Sequence, residues 1–301
     1  MSTELALQAC AKVNLHLRVV GRRPDGYHDL VTLFDRISLA DRLVLRESAK
    51  GVRLACEGPV PAGPENLAWR AAAAALEAAR CDRGVEIELT KGVPAGAGLG
   101  GGSADCAAAL VGTARLLGLS LTDDELLTLG RRLGADVPFF VRGLLRETPD
   151  RPRRWMAVGR GVGEVLEEIP SPPALVYVLI NPGFEVSTPW AFQAGRFALT
   201  PAGATGEIVP HGIDGVVPRT REEVLALLRN DLEAVVVAKH PDVGARLQDL
   251  LSAGALGARM SGSGSTVFGL FATVGEAQRA RAELERRLAG TKNRIFVAEG
   301  A

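Results

Sequence analysis

Residues 94–105 read PAGAGLGGGSAD, with five glycines in the seven positions from Gly96 to Gly102, and they run directly into a helix-periodic stretch. Glycines let a backbone approach a ligand closely and turn several N–H groups inward, and a helix N-terminus adds its own unpaired N–H groups and partial positive charge. The chemistry this pattern serves is the holding of an anion, with phosphate the natural guest. Three familiar nucleotide patterns do not fit. Gly96–Gly101 matches GxGxxG, but no strand ending in an acidic residue follows about 20 positions on. No lysine follows Gly102, as a Walker loop requires, and no HRD or DFG element lies downstream, as in a protein kinase. A flexible linker is the alternative, yet linkers do not run straight into a periodic helix with Ser103 placed to cap it. A second small-residue loop, GARMSGSGST at 257–266, is either a simple hairpin turn or a second wall around the same polyphosphate.

The elements that position these loops follow from periodicity. AKVNLHLRV at 11–19 alternates, with Val13, Leu15, Leu17 and Val19 on one face and Lys12, Asn14, His16 and Arg18 on the other, a half-buried strand. Pro24, Asp25 and Gly26 suit a turn. Strands are expected at 30–39, 41–48, 52–58 and 85–91, with an Ala-rich helix in ENLAWRAAAAALEAAR. The stretch 103–118 reads as a helix ending at Gly118, and a capping box of Thr122 and Glu125 opens another that stops at Gly134. ADVPFF is expected to be non-helical because Pro138 disfavours helix at Val137. An irregular basic stretch, about 145–163, marks a domain boundary. Beyond it, strands at 174–180, 266–272 and 294–299 alternate with helices at 220–240, 241–253 and 274–290, an α+β domain closing in β-α-β order.

With 35 basic and 35 acidic residues the chain has no net charge, so a nucleic-acid partner is disfavoured. No apolar run approaches the ~18 residues that cross a bilayer, and the N-terminus lacks the pattern of a signal peptide. The cysteines, Cys10, Cys56, Cys81 and Cys106, match neither a metal pair nor a disulfide framework and are expected to be buried thiols of a cytoplasmic protein.

Three blocks, AKVNLHLRVVGRRPDGYH, PAGAGLGGGSAD and GARMSGSGSTVFG, resemble the three motifs of the GHMP small-molecule kinase superfamily. Within it the first block, together with GADVPFF, NPGF and NDLE, resembles the 4-diphosphocytidyl-2-C-methyl-D-erythritol kinase family. The resemblance spans nearly the whole chain. It implies a two-domain α+β GHMP kinase fold, in which an N-terminal α/β domain like ribosomal protein S5 domain 2, taken as 1–158, precedes a C-terminal ferredoxin-like α+β domain, taken as 159–301. It implies transfer of the γ-phosphoryl group of ATP to the 2-hydroxyl of the cytidine-diphosphate-linked methylerythritol, a step of the non-mevalonate isoprenoid route, with Mg²⁺ expected alongside ATP.

By the same resemblance Lys12 and Asp136 are the catalytic pair. Asp136 would orient the hydroxyl and take its proton late, and Lys12 would offset charge in a loose transition state. Pro94, Ala95, Gly96, Ala97, Gly98, Leu99, Gly100, Gly101, Gly102 and Ser103 would hold the ATP phosphates, and Asn66, otherwise a helix cap, would lie on the adenine side. Asn14, Tyr27, His28 and Phe192 would bind the acceptor, Tyr27 by stacking on cytosine and His28 by hydrogen bonding to the base edge, with Trp190 a competing assignment for Phe192. Asp105 faces either a metal ion or the helix N-terminus. The basic stretch 142–158 departs from the family pattern as an insertion, and 196–220 is unplaced. The other readings are a GHMP kinase for homoserine, mevalonate or a sugar, and a binding module that kept the fold and lost catalysis. A monomer or weak homodimer is expected.

Overall fold

The alternation at 11–19 extends both ways, giving strand β1 (Glu4–Arg22) in the computed structural model, which describes residues 4–147, 154–172, 175–195, 197 and 212–301. Much of the basic insertion, 148–153, and most of the unplaced stretch, 196 and 198–211, lie outside the described residues. The expectation of a half-buried strand is corrected. Val13 and Leu15 are buried on one face, and on the other Lys12, Asn14 and His16 are only 4%, 3% and 5% exposed. The polar side of β1 is therefore not a solvated face, and a buried ammonium there needs partners.

The turn at Pro24–Gly26 forms as expected, with Gly26 at φ +88°, and the chain returns as β2 (His28–Ser48). The two strands expected at 30–39 and 41–48 are one, because Ala40 and Asp41 between them carry neither glycine nor proline to turn the chain.

Two compact units share the chain: Met1–Ala11, Ala40–Ala95 and Gly100–Arg153 form the first, and Lys12–Leu39, Gly96–Leu99 and Arg154–Ala301 the second. The first unit continues with β3 (Gly51–Glu57), α1 (Leu67–Ala78) and β4 (Gly84–Thr90). β4 runs parallel to β3 and antiparallel to Arg42–Ser48 of β2. Helices α2 (Gly101–Leu117), α3 (Asp123–Leu133) and α4 (Val137–Leu145) complete it, with α2 packed against α1 and α4. α2 is buried on every side from Ala104 to Ala114. Its alanines permit that closeness, and at Gly112 a Cβ would stand 2.9 Å from Leu7 Cδ1.

The Thr122–Glu125 capping box and the stop at Gly134 hold. Two local expectations do not. Pro138 does not block a helix: it lies in the first turn of α4, where its missing N–H has no intrahelical partner to lose. Ser103 is not the cap of α2, whose N-cap is Gly100 at φ +69°, with Ser103 already inside the first turn.

The second unit holds the remaining elements. β5 (Met156–Gly161) pairs antiparallel with Leu30–Asp35 of β2 and with β6 (Val165–Glu168). Then come β7 (Val176–Asn181), α5 (Thr188–Ala194), α6 (Arg221–Leu227), β8 (Arg229–Asn230), α7 (Glu233–Lys239), α8 (Pro241–Ser252), β9 (Gly257–Met260), β10 (Val267–Phe271), α9 (Val274–Arg287) and β11 (Arg294–Glu299). β7, β9, β10 and β11 form an antiparallel sheet in the order β11-β7-β10-β9, and β10-α9-β11 is the expected β-α-β ending. β7 and β10 are buried at every position, which is why they read as continuous apolar runs.

The single helix expected over 220–240 is broken. Asn230 and Asp231 interrupt it because their side chains bind backbone groups in place of the helical ladder. Asn230 Oδ1 accepts from Leu232 N at 2.9 Å, and Asp231 Oδ2 accepts from Val19 N at 2.9 Å. The two residues of β8 pair parallel with His16 and Leu17 of β1 instead. Among the cysteines, all four are free thiols, but only Cys106 is buried and the others are half-exposed.

Candidate active site

In the second unit the buried ammonium of Lys12 has specific partners. Its Nζ donates to Asn14 Oδ1 at 2.5 Å and to Gly98 O at 3.2 Å. Asn14 is held in turn, its Nδ2 donating to Thr32 Oγ1 at 2.8 Å and its backbone N–H to Ser261 Oγ at 3.3 Å. Burial lowers the pKa of His16, next on that face, despite the hydrogen bond from Nδ1 to Leu227 O.

The two small-residue loops meet in this unit, so the alternatives for 257–266 merge. That segment is a hairpin between β9 and β10, and it also touches the glycine loop. Ser261 Oγ donates to Gly98 O at 2.9 Å, and Thr266 N–H donates to Ala97 O at 3.2 Å. The approach requires glycine at 98: its φ is +78°, and a Cβ there would stand 2.1 Å from Ser261 O. The apolar members anchor the loop, Ala97 and Leu99 being buried, and Leu99 O accepts from Lys12 N–H at 3.0 Å. Gly96, at φ +57°, is exposed and has the Glu185 carboxylate beside it, within 2.9 Å of where a Cβ would be. Asn230, not singled out from sequence, fixes the hairpin from the other side, donating to Met260 O at 2.7 Å and Gly262 O at 2.8 Å. The block NDLE carried that signal, since asparagine inside a helical run is poorly placed there without a partner.

The first unit holds Pro94, Ala95 and the start of α2. The N–H groups of Gly101, Gly102 and Ser103 precede the helix's own first bond, from Ala104 N–H to Gly100 O at 2.9 Å, and so lie outside its ladder. They are suited to an anion. Ser103 Oγ lies 4.0 Å from a Cβ built on Gly134, which puts it beside the segment that leads to Asp136. Asp136 stands at the N-cap position of α4 without capping it, in αR conformation and half-buried. Asn66 caps α1: its Oδ1 accepts from Ala68 N–H at 2.9 Å and its Nδ2 donates to Pro61 O at 2.7 Å.

Sequence reasoning missed the charged cluster behind this loop. Lys91 at the end of β4 bonds to Asp41 of β2 and, at 2.6 Å, to Asp105 of α2, with all three side chains nearly or fully buried. Asp41 also accepts from the N–H groups of Gly92 at 2.6 Å and Val93 at 2.8 Å. Asp105 thus faces Lys91. One ammonium serves two carboxylates, and burial together with the charge of Asp41 outweighs Lys91 and pushes the Asp105 carboxyl up to about 7. The cluster ties the chain just ahead of Pro94 to the second turn of α2. A signal was present: the chain has only five lysines among its 35 basic residues, and the two in question, Lys12 and Lys91, sit where a compact ammonium suits and a guanidinium does not.

At the RRPDGYH turn, Tyr27 is 64% exposed. His28 stacks on Phe192, with centroids 5.5 Å apart at 21°, and meets Phe197 edge-on. Trp190 turns instead to His240 and lies under the Lys239 ammonium, 3.9 Å from the ring centroid. Of the two aromatics in STPWAF, Phe192 is therefore the one brought to His28.

Known proteins match this arrangement over its length. A family model described as the GHMP kinases N terminal domain matches residues 66–144, and one described as GHMP kinases C terminal matches 217–290. A 4-diphosphocytidyl-2-C-methyl-D-erythritol kinase of Geobacter metallireducens is 46% identical over 279 residues, 92% of each chain. One of Synechococcus sp. is 44% identical over 292 residues, 92% of this chain and 90% of that one. A crystal structure of 4-(cytidine 5'-diphospho)-2C-methyl-D-erythritol kinase superposes with TM-score 0.76 at 36% identity, covering 99% of this chain and 100% of the other. A homoserine kinase from Cytophaga hutchinsonii, at 21% identity and TM-score 0.67, shares the fold. With identity of this level across both matched regions and the DGYH turn between the buried lysine and the glycine loop, the chain belongs to the 4-diphosphocytidyl-2-C-methyl-D-erythritol kinase family of the GHMP kinases.

Proposed function

We propose that this enzyme transfers the γ-phosphoryl group of ATP to the 2-hydroxyl of 4-(cytidine 5'-diphospho)-2-C-methyl-D-erythritol, giving the 2-phosphate and ADP in the non-mevalonate isoprenoid route. The observation that carries the reading is the 46% identity to a kinase of that name over 92% of the chain. The stacking of His28 on Phe192, next in sequence to the exposed Tyr27, supports a nucleobase-bearing acceptor, which homoserine and mevalonate are not.

Residues 94–103 hold the ATP phosphates through backbone N–H groups, and Asn66 lies on the adenine side. Lys12 supplies the positive charge that the glycine loop lacks. Phosphoryl transfer has a loose transition state, so positioning and charge stabilisation matter more than a strong base. Asp136 orients the acceptor hydroxyl and takes its proton as the oxygen–phosphorus bond develops. Asn14, Tyr27, His28 and Phe192 bind the acceptor. Mg²⁺ is expected with ATP, and the chemistry it would supply there is the offsetting of phosphate charge.

The 1–158 and 159–301 domain division is part of this reading, and the two family matches fall on either side of it. Among the described residues no helix is long and apolar enough to cross a membrane. We place the enzyme in the cytoplasm as a monomer or weak homodimer, which sedimentation tests. The deciding assay incubates purified protein with labelled ATP and Mg²⁺ against the cytidine diphosphate compound, homoserine, mevalonate and sugars. Transfer to the cytidine compound alone is expected, and transfer to mevalonate in its place overturns the reading.

A further inference from the structure

We propose that the Thr32 hydroxyl is a positioning group for phosphoryl transfer: it locks the Asn14 amide in the one orientation that presents an oxygen to the Lys12 ammonium. The inference rests on the reading of Lys12 as the group that offsets charge on the transferring phosphoryl.

Four hydrogen-bonding groups meet here with fixed donor and acceptor directions. The backbone carbonyl of His16 can only accept, so the Thr32 hydroxyl, 2.7 Å away, must donate to it. That uses the single proton of the hydroxyl. Toward Asn14, at 2.8 Å, Thr32 has only lone pairs left, so the atom facing it must be the amide nitrogen. The amide oxygen then points the other way, to Lys12 Nζ at 2.5 Å, and an ammonium can only donate. Both ends of the chain are fixed in polarity, and only one arrangement satisfies all four groups. Reversing the amide would set its NH₂ against the ammonium and its oxygen against the hydroxyl's lone pairs. Thr32 is 1% exposed, Asn14 3% and Lys12 4%, so the groups are removed from competing solvent. The geometry comes from neighbouring strands, Thr32 on β2 and Asn14 and His16 on β1. Without the hydroxyl the amide nitrogen loses its acceptor, so the amide is held from the Lys12 end alone and the oxygen that faces the ammonium, beside Gly98 O at 3.2 Å, is less firmly placed.

Wild-type turnover on the cytidine acceptor tests the functional reading and is read first. With turnover present, Thr32→Val should lower kcat ~10-fold or more while the Michaelis constants of both substrates stay within ~2-fold, the signature of a lost transition-state interaction. Thr32→Ser, which restores the hydroxyl, should return kcat to within ~3-fold. Thr32→Ala makes the same deletion if the valine variant does not fold. A purely structural contact is separated by repeating Thr32→Val in the Asn14→Asp background, where either carboxylate oxygen can accept from Lys12 and the hydroxyl no longer chooses between them. The penalty should then shrink to ~2-fold or less. An unchanged kcat in Thr32→Val, or an equal penalty in both backgrounds, overturns the Thr32 assignment and leaves the kinase activity standing.

Discussion

Replacing Asp105 with asparagine isolates a titration built into the buried cluster. Asp105 shares the Lys91 ammonium with Asp41, and its carboxyl is pushed from 3.8 up to about 7, first by burial and then by the charge of Asp41 against the opposing pull of Lys91. Lys91 itself has a raised pKa, because the two carboxylates outweigh the effect of burial, so it stays charged over the range in question. A carboxyl whose folded pKa is raised stabilises the fold fully below its unfolded value, and that stability is lost as pH rises toward the folded value. Between those limits the loss is ~1.4 kcal/mol per pH unit, so from pH 5 to pH 7.5 the wild type should lose ~2–3 kcal/mol that Asp105→Asn does not. Asparagine keeps an oxygen for Lys91 and has nothing to titrate. Urea denaturation of both proteins at pH 5, 6, 7 and 7.5 gives the difference directly, and taking the difference cancels other groups such as the buried Asp35. The variant should gain on the wild type as pH rises, and the gap should flatten above about pH 7. Parallel stability curves, or a gap that closes with rising pH, would refute the shared-ammonium argument.

Asp136→Asn should lower kcat ~100-fold or more with little change in either Michaelis constant, as for loss of a group that handles the proton; steady-state kinetics with wild-type turnover would remove Asp136 from the mechanism. Tyr27→Ala should raise the Michaelis constant of the cytidine acceptor by the ~1–3 kcal/mol that base stacking contributes, leaving that of ATP alone, and an equal effect on both would contradict stacking. Gly98→Ala should destabilise the protein by more than the ~1–2 kcal/mol of a left-handed alanine, because its Cβ also strikes Ser261 O. The comparison is Gly118→Ala, where φ is +60° and nothing lies within 4 Å of the added carbon, and equal costs by denaturation would show that the loop gives way.

Legibility in the sequence tracked the range of the interaction. The glycine run, the capping box at Thr122 and the turn before Tyr27 are local, and each formed where its residues lie. The failures are places where tertiary partners changed the meaning of a residue. Alternation in AKVNLHLRV gave the strand but not its second covered face, because burial of Lys12 and Asn14 depends on Gly98, Thr32 and Ser261, as many as 247 positions away. Pro138 disfavours helix at Val137 by local rules, yet its position in the first turn of α4 makes it harmless. Asn230 read as helix because a favourable run surrounded it, while its side chain was committed to Met260 and Gly262. The cluster of Asp41, Lys91 and Asp105 joins three elements with no shared motif, so only the scarcity of lysine and an aspartate amid an apolar strand hinted at it.

Burial of α2 from Ala104 to Ala114 has a kinetic consequence. A stretch of helix with no solvated face cannot fray from the side, and Ala104–Ala114 can exchange their amide protons only when the surrounding core of the first unit opens. The N–H groups of Gly101–Ser103 thus project from the end of a rod that holds still on the timescale of turnover. Whatever anion settles there meets donors already aimed, and little ordering is left for binding to supply.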